Sequence, residues 1–434
     1  MTPRALALAL VPVALLLAGT ADPALVWVAG AAGMVWVGAC GLDRLRARGP
    51  DAWRVRRLVE PILNLGAANP VTLEITPAGR YPARVLVRDE GPLELPPDPP
   101  LLRGLARGGV PLRLTYLLHP TRRGRYDFAR VVLRAPGPLG LWNRQVALPM
   151  AAEVRVYPDL GAVRQWQGLT RRGQLAQVGI RNARRLGQGT EFAMVREHFP
   201  DDDFRLINWR ATGRMGRLMV SEHRPETSQT CWLVLDCGRH MQGGIGSLQK
   251  LDHALNTALL FAYVALAGGD RVGVLAFADT VRALLPAAGG RAHFARILEL
   301  LYGIAPQPVE ADHATALARL RRLQGRRALV LVFTDLPDGA AGARLAEHAA
   351  QLRPRHLPLV VTQQDPALAA AARAAPTKPA VLYERAAALA VLADRTGGLD
   401  ALRRQGVLSL DSEAAALAPA VINRYLELKA RGQL

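Results

Sequence analysis

The chain has 434 residues, half of them apolar, and a formal net charge of +19; it has room for two or three domains with buried cores, which excludes a disordered or fibrous chain. Only Lys250, Lys378 and Lys429 among its 55 basic residues are lysine, and the arginines are scattered with no long basic run or aromatic-interleaved stripe, so the charge does not mark a nucleic-acid binder and better suits an anionic membrane face. Three cysteines, Cys40, Cys231 and Cys237, make no CxxC pair and no metal spacing, and their odd number argues for a reducing compartment and against a disulfide framework.

Residues 1–48 read as a transmembrane helical hairpin. Ala5–Gly19 and Ala24–Leu42 are uncharged apolar runs around a turn, Thr20-Ala21-Asp22-Pro23. A bilayer core needs about 20 apolar residues in a helix, so the second run qualifies, whereas the first carries Pro12 and spans only by borrowing Thr20 and Ala21. A cleaved signal peptide is the rival reading; the second run following after four residues, with no small-x-small site before it, weighs against that. Arg4 precedes the hairpin, Arg44, Arg46, Arg48, Arg54, Arg56 and Arg57 follow it, and the turn holds only Asp22. An excess of arginine marks the cytoplasmic side, so both ends and everything after them are expected in the cytoplasm, tethered to the inner membrane.

Residues 59–160 change to short alternating runs: Val71, Leu73 and Ile75, then Val85 and Val87, then Leu112, Leu114 and Tyr116, punctuated by Pro and Gly clusters. This spacing predicts a small antiparallel β domain of sandwich or barrel type. His119, before Pro120, reads as a turn residue. Residues 161–230 then lead into an α/β domain over 231–434. Its apolar strand candidates are Cys231–Asp236, Arg271–Ala278, Ala328–Thr334, Leu357–Thr362 and Gly406–Leu410, with Val281–Leu285 as an antiparallel edge. Helical patterns fall at Leu248–Ala267, Ala292–Tyr302, Ala314–Leu323, Ala340–Leu352, Glu384–Arg404 and Glu413–Ala430. Continuous apolar strands alternating with amphipathic helices predict a doubly wound, mostly parallel sheet.

Ligands of open α/β sheets bind at the carboxyl ends of strands, and two strands here end in aspartate, Asp236 and Asp335. That pattern resembles the von Willebrand factor type A fold, whose metal-ion-dependent adhesion site adds two serines after the first aspartate and a threonine from a later loop. Mg²⁺ needs such hard oxygen ligands. Here Gly238 and His240 stand at the serine positions, and glycine offers no ligand while histidine suits Mg²⁺ poorly. With Thr315 as the candidate threonine, the set Asp236, Gly238, His240, Thr315 and Asp335 is a degenerate metal site, and the aspartates are expected to cap helices or pair with arginines. Gly187-x-Gly189 lacks the lysine and context of a phosphate loop. Cys237 beside Arg239 is a candidate thiolate only if exposed, and a buried structural cysteine is the plainer reading.

The segment 187–214 concentrates charge around aromatics. E-F-x-x-x-R-E sets Glu191, Arg196 and Glu197 within two helical turns, and Asp202, Asp203 and Arg205 follow in a turn before Asn208, Trp209 and Arg214. It reads equally as an internal arginine–carboxylate network and as a partner surface anchored by Trp209 and the arginines. Here the chain resembles the bacterial domain of unknown function 58 family. The shared pattern is Gly187, Gly189, Glu191, Phe192, Arg196 and Glu197, then Asp202, Asp203, Arg205, Ile207, Asn208, Trp209, Thr212 and Arg214. Departures fall at His198 and Asp201, where tyrosine and glycine are usual. His119–Tyr126, Pro136–Trp142 and Val156–Pro158 resemble the family too.

The resemblance implies a membrane-anchored von Willebrand factor A-like protein of the bacterial inner membrane, working with a MoxR-type AAA+ ATPase and client proteins, without catalysis or a cofactor. The expected function is therefore a non-enzymatic interaction or adaptor module. The alternatives are a metal-dependent receptor with a non-standard site, Mg²⁺ being the cofactor to test, and an enzyme using Cys237 or His240.

Overall fold

A computed structural model describes residues 1–79, 82–159, 161, 163, 191–199, 207–224, 228–336, 338–375 and 378–434. The chain forms a mixed α/β structure with several sheets, divided into two compact units, Met1–Tyr157 and Pro158–Leu434.

The first unit opens with helices α1 (Pro3–Ala18) and α2 (Ala24–Arg46). The Thr2 side chain accepts the Ala5 N–H at the start of α1, and Asp22 accepts the Ala24 N–H at the start of α2. The Trp36 indole N–H donates to the Ala5 carbonyl (3.0 Å), holding the helices side by side. Among the described residues, α2 alone is long and apolar enough to cross a membrane; α1, with Pro12 inside it, is shorter.

Among the described residues nine strands follow: β1 (Trp53–Leu58), β2 (Ile62–Asn64), β3 (Asn69–Pro77), β4 (Ala83–Glu90), β5 (Pro97–Asp98), β6 (Leu102–Ala106), β7 (Leu112–Leu118), β8 (Gly124–Pro136) and β9 (Asn143–Tyr157). They make a four-stranded sheet, β1-β3-β7-β5, and a five-stranded sheet, β2-β9-β8-β4-β6. Pairing is antiparallel except between β2 and β9. The expected alternation is realised: Val71, Leu73 and Ile75 on β3 and Val85 and Val87 on β4 are buried.

A polar bridge joins the two sheets. Arg57 on β1 reaches Asp89 on β4 through two hydrogen bonds (2.8 and 2.5 Å), the Tyr116 hydroxyl on β7 donates to the same carboxylate (2.7 Å), and the guanidinium lies over Phe128, 4.6 Å from the ring centre. Arg57 and Asp89 each expose 1% of their side chains. Arg57, one of the arginines that follow the hairpin, is thus paired inside the β unit. Burial, then the adjacent Asp89, pushes the Tyr116 hydroxyl well above the ordinary tyrosine range.

The second unit begins with an antiparallel pair, β10 (Glu191–Glu197) and β11 (Met219–Arg224), with helix α3 (Trp209–Met215) between them in sequence. The expected helical turns over Glu191–Glu197 are therefore a strand. Spacing of charges alone suggested a helix, but the backbone groups of 191–197 pair across a ladder with 219–224, and such tertiary pairing overrides a local pattern. Asn208 caps α3 by accepting the Ala211 N–H (3.0 Å), and Gly216 ends it at φ 68°, a left-handed conformation suited to glycine.

The main sheet has β12 (Thr230–Asp236), β15 (Arg271–Phe277), β16 (Val281–Ala288), β17 (Leu329–Phe333), β18 (Leu357–Gln364) and β19 (Leu408–Glu413), in the order β16-β15-β12-β17-β18-β19; β13 (Gly244–Ile245) and β14 (Leu248–Gln249) form a small separate pair. All neighbours in the main sheet are parallel except β15 and β16, so Val281–Ala288 is the antiparallel edge expected. Among the described residues seven α-helices accompany it: α4 (Lys250–Ala267), α5 (Arg291–Gly303), α6 (His313–Leu323), α7 (Gly339–Ala350), α8 (Pro366–Arg373), α9 (Pro379–Arg404) and α10 (Leu417–Ala430). Of these α8 was not anticipated; Asp365 caps it and Pro366 opens it.

Successive strand residues point to opposite faces, which splits the core in two. Cys231, Leu233 and Leu235 pack with α4, α5 and α10, whereas Trp232 and Val234 pack with α6, α7 and α9. Each fully buried leucine or valine contributes about 1.5–3 kcal/mol, so these layers hold the strand ends in register. Helices α7 and α9 cross at Gly342 and Gly398, where a Cβ on Gly342 would lie 2.4 Å from the Gly398 Cα.

Candidate functional site

Strands β12, β17 and β19 bring three aspartates to one end of the sheet. Asp236 is the last residue of β12, Asp335 follows β17, and Asp411 lies on β19. Helix α4 starts with a capping box between Gln249 and Asp252, which places Lys250 in its first turn. The Lys250 ammonium donates to Asp335 Oδ2 (2.6 Å). Arg395, from the middle of α9, donates Nη1 to Asp335 Oδ1 (2.6 Å) and Nη2 to both Asp411 Oδ1 (2.6 Å) and the Gln363 carbonyl (2.7 Å). The result is a four-residue charge network, two cations with two carboxylates, across the carboxyl ends of β17 to β19.

The electrostatics follow from burial. Burial alone would raise the Asp335 carboxyl, but Lys250 and Arg395 together outweigh it and hold it below the ordinary carboxylate range. For Arg395 burial opposes the charged form, and the Asp411 hydrogen bond and the two carboxylates overcome it, keeping the guanidinium protonated. Asp236 stands apart. Its Oδ1 accepts the Gly238 N–H (2.7 Å), and its Oδ2 accepts the Thr334 hydroxyl (2.6 Å) with His313 Nε2 at 3.5 Å.

The expected metal positions do not fit a divalent cation. Both oxygens of Asp335 already face cationic nitrogens, Gly238 contributes only a backbone N–H, and His240 lies beside Arg239 and Glu310. Thr315 corrects the expectation most directly: its hydroxyl donates to Asp312 Oδ2 (2.6 Å), at the cap of α6, and makes no part of the Asp236 cluster. That bond, first among the causes, holds the Asp312 carboxyl low. No group of three or more histidine, cysteine, aspartate or glutamate side chains is placed to hold a metal among the described residues. Where an adhesion-type site presents oxygens to a cation, this chain presents its own ammonium.

A cleft of about 230 Å³ opens beside the network, lined by Asp236, His240, His313, Asp335, Arg344 and His348 among others. A larger one of about 990 Å³ lies at the opposite, amino end of the strands, with Arg271, Arg326, Arg327 and Trp232 in its wall. Size does not make it the better site: Arg271 and Arg327 already donate to the Ala287 and Gln433 carbonyls, and among the described residues its wall brings no acidic side chain, histidine or cysteine beside the hydroxyls of Ser228 and Thr230. Cys237 is fully buried and its thiol points back at the Leu235 carbonyl (3.5 Å), so it is not available as a nucleophile.

Of the signature residues, Asp202, Asp203 and Arg205 lie outside the described residues, and Glu191 is placed only as the first residue of β10. The others have these contacts among the described residues. Arg196 stacks over Phe199 (5.3 Å) and donates to the Glu197 carbonyl (3.1 Å), while Glu197 pairs with Arg217 on the surface (3.1 Å). Asn208 serves as the cap of α3. Trp209 is 70% exposed, and Arg210 and Arg214 are exposed on the same short helix.

Lys250, Arg395, Asp411, Thr334 and His313 were not singled out from the sequence. Two carried a signal. Lys250 is one of three lysines in an arginine-dominated chain, and Arg395, next to Asp394, follows the apolar run 386–393.

Residues 194–374 match the family model described as "Protein of unknown function DUF58". Uncharacterized proteins of Mycobacterium tuberculosis and Mycobacterium bovis are each 30% identical over 155 residues, which is 34% of this chain and 48% of theirs; the chain spans about half the length of the curated relatives it matches. Among solved structures, the conserved hypothetical protein BatB from Bacteroides thetaiotaomicron is similar over 47% of this chain and 99% of its own, at 13% identity and a TM-score of 0.30. An uncharacterized membrane spanning protein from Vibrio fischeri covers 46% of this chain and 98% of its own, at 12% identity and a TM-score of 0.19. Scores this low establish no shared fold. Through residues 194–374, then, the chain resembles the family described as protein of unknown function DUF58.

Proposed function

We propose that the protein is a membrane-tethered, non-enzymatic interaction module on a von Willebrand factor A-like, doubly wound domain, docking a MoxR-type AAA+ ATPase or its client on the cytoplasmic side of a bacterial inner membrane. The observation that carries the reading is the exposed surface of α3 and its flank. Trp209, Met215 and Leu218 expose 70%, 59% and 42% of their area beside exposed Arg210, Arg214 and Arg217. Tryptophan and arginine are the side chains that most often anchor protein interfaces. Tethering is supported by α2, whose apolar 18-residue window is only 11% buried.

The strand-end chemistry weighs on the same side. Lys250 neutralises Asp335 internally and Cys237 is buried, so neither a metal-dependent receptor nor a thiolate enzyme gains support. Capture of a MoxR-type AAA+ ATPase by the full chain in detergent tests the reading. Trp209→Ala and Arg214→Ala are expected to weaken capture by at least about tenfold, the usual size of an interface anchor, with unchanged melting. Wild-type capture by both variants would remove this surface. A heat of Mg²⁺ or Mn²⁺ binding that is lost in Asp335→Asn would revive the receptor.

A further inference from the structure

Both ends of the apolar hairpin are fastened to one loop of the β unit, residues 137–142 between β8 and β9. Thr2, before α1, donates its N–H to the Leu141 carbonyl (3.0 Å) and its hydroxyl to the Gly140 carbonyl (2.7 Å). Asp43, near the end of α2, is fully buried. Its Oδ1 accepts the Leu139 N–H, and its Oδ2 accepts those of Leu141 and Trp142, each at 2.7 Å. A carboxylate that accepts three backbone N–H groups is satisfied without a cation. Ala5, Cys40 and Leu141 pack into a small core around it. The fit is tight: a Cβ at Gly137 would meet Asp43 Oδ1 at 2.4 Å.

This fastening sets the height of the loop. Helix α2 runs without a break from its apolar stretch into Asp43, Arg44, Leu45 and Arg46, so the loop is held where the apolar surface gives out. Leu139, whose own N–H is tied to Asp43, leaves 52% of its area exposed. The Arg44 guanidinium lies over the Trp142 ring, 5.1 Å from its centre, and Arg4 Nη1 is 3.6 Å from the place a Gly140 Cβ would take. An exposed leucine, an aromatic ring and two arginines at the end of an apolar helix are the chemistry of a bilayer's headgroup layer.

We infer that loop 137–142 is a membrane foot: Leu139 seats in the headgroup layer and Arg4 and Arg44 take the phosphates of anionic phospholipids. The inference rests on the reading of α2 as a membrane anchor. It adds that the β unit is bolted to the bilayer through Asp43 rather than hung from it on a linker.

The test uses the full chain in vesicles of phosphatidylcholine with or without phosphatidylglycerol. A small nitroxide is placed at Leu139→Cys or Met34→Cys, read as collision with oxygen over a water-soluble nickel chelate. The three native cysteines are buried and stay unlabelled. Met34, 77% exposed on α2, reports whether that helix is in the bilayer. The expected result is deep burial at 34 in both vesicles, and interfacial burial at 139 that rises about twofold or more with phosphatidylglycerol. Arg4→Gln with Arg44→Gln should abolish the rise and leave 34 unchanged. A water-exposed 139 with a buried 34, or a 139 indifferent to phosphatidylglycerol, overturns the foot alone. A water-exposed 34 overturns the anchor reading and the foot with it.

Discussion

Arg395 is the residue on which the strand-end network turns. Its planar guanidinium reaches Asp335, Asp411 and the Gln363 carbonyl at once, with 10% of the side chain exposed, and a lysine cannot reproduce that fork. Removing one partner of a buried charge cluster costs about 3–5 kcal/mol because the other charges are left uncompensated. Arg395→Met should therefore lower the thermal midpoint far more than Lys250→Met, since Lys250 is more exposed and leaves Asp335 one guanidinium. Urea titration of both variants against wild type checks the order. The pH dependence has a definite sign. Because the folded Asp335 carboxyl lies below its ordinary value, its contribution is present above about pH 3.9 and fades as pH falls through the lower folded value. The gap between wild type and Arg395→Met should thus be full at neutral pH and shrink below about pH 4; a gap that widens on acidification would contradict the assignment. Asp236 and Asp335 were legible from their places at strand ends, whereas Asp411 was not. Nor were the cationic partners of Asp335, since Lys250 and Arg395 lie 85 and 60 residues from it and only the fold brings them together.

At the scale of elements, the α/β strands and helices were read well because continuous apolar strands and amphipathic helices each have their own period. Glu191–Glu197 was misread because three charges at helical spacing also fit one strand of a pair, and its partner 219–224 gives no local sign of itself. The crossing of α7 and α9 was equally hidden, since glycine carries no pattern. It gives an asymmetric prediction. A Cβ on Gly342 would stand 2.4 Å from the Gly398 Cα, whereas one on Gly398 would find its nearest neighbour at 3.4 Å. Gly342→Ala must push the helices apart, for about 1–3 kcal/mol of overpacking. Gly398→Ala meets ordinary contact and gains helix propensity of up to about 1 kcal/mol, so it should be neutral or stabilising. Equal denaturation midpoints for the two variants would show that the crossing gives way more easily than its geometry implies.

For the whole molecule, the question is which side of a membrane the two units face. The arginines that orient the hairpin are Arg4 before it and Arg44, Arg46, Arg48, Arg54, Arg56 and Arg57 after it, and the later pairing of Arg57 with Asp89 does not change that count. The excess still lies at the two ends, against a turn that carries only Asp22, and only charges close to the helix ends count strongly. The fastening of Thr2 and Asp43 to one loop independently puts both ends on the same side. Together these predict that the turn faces away from the cytoplasm and both units face into it. Ala21→Cys, in the exposed turn, should react with a membrane-impermeant maleimide in intact bacterial cells, whereas Leu93→Cys, at a position 96% exposed in the β unit, should react only after permeabilisation. Labelling of both in intact cells would mean export of the β unit, and protection of both would place the turn short of the far side. Either pattern would remove the surface of Trp209 from the compartment in which a cytoplasmic ATPase meets it, or would leave α2 too shallow to act as its tether.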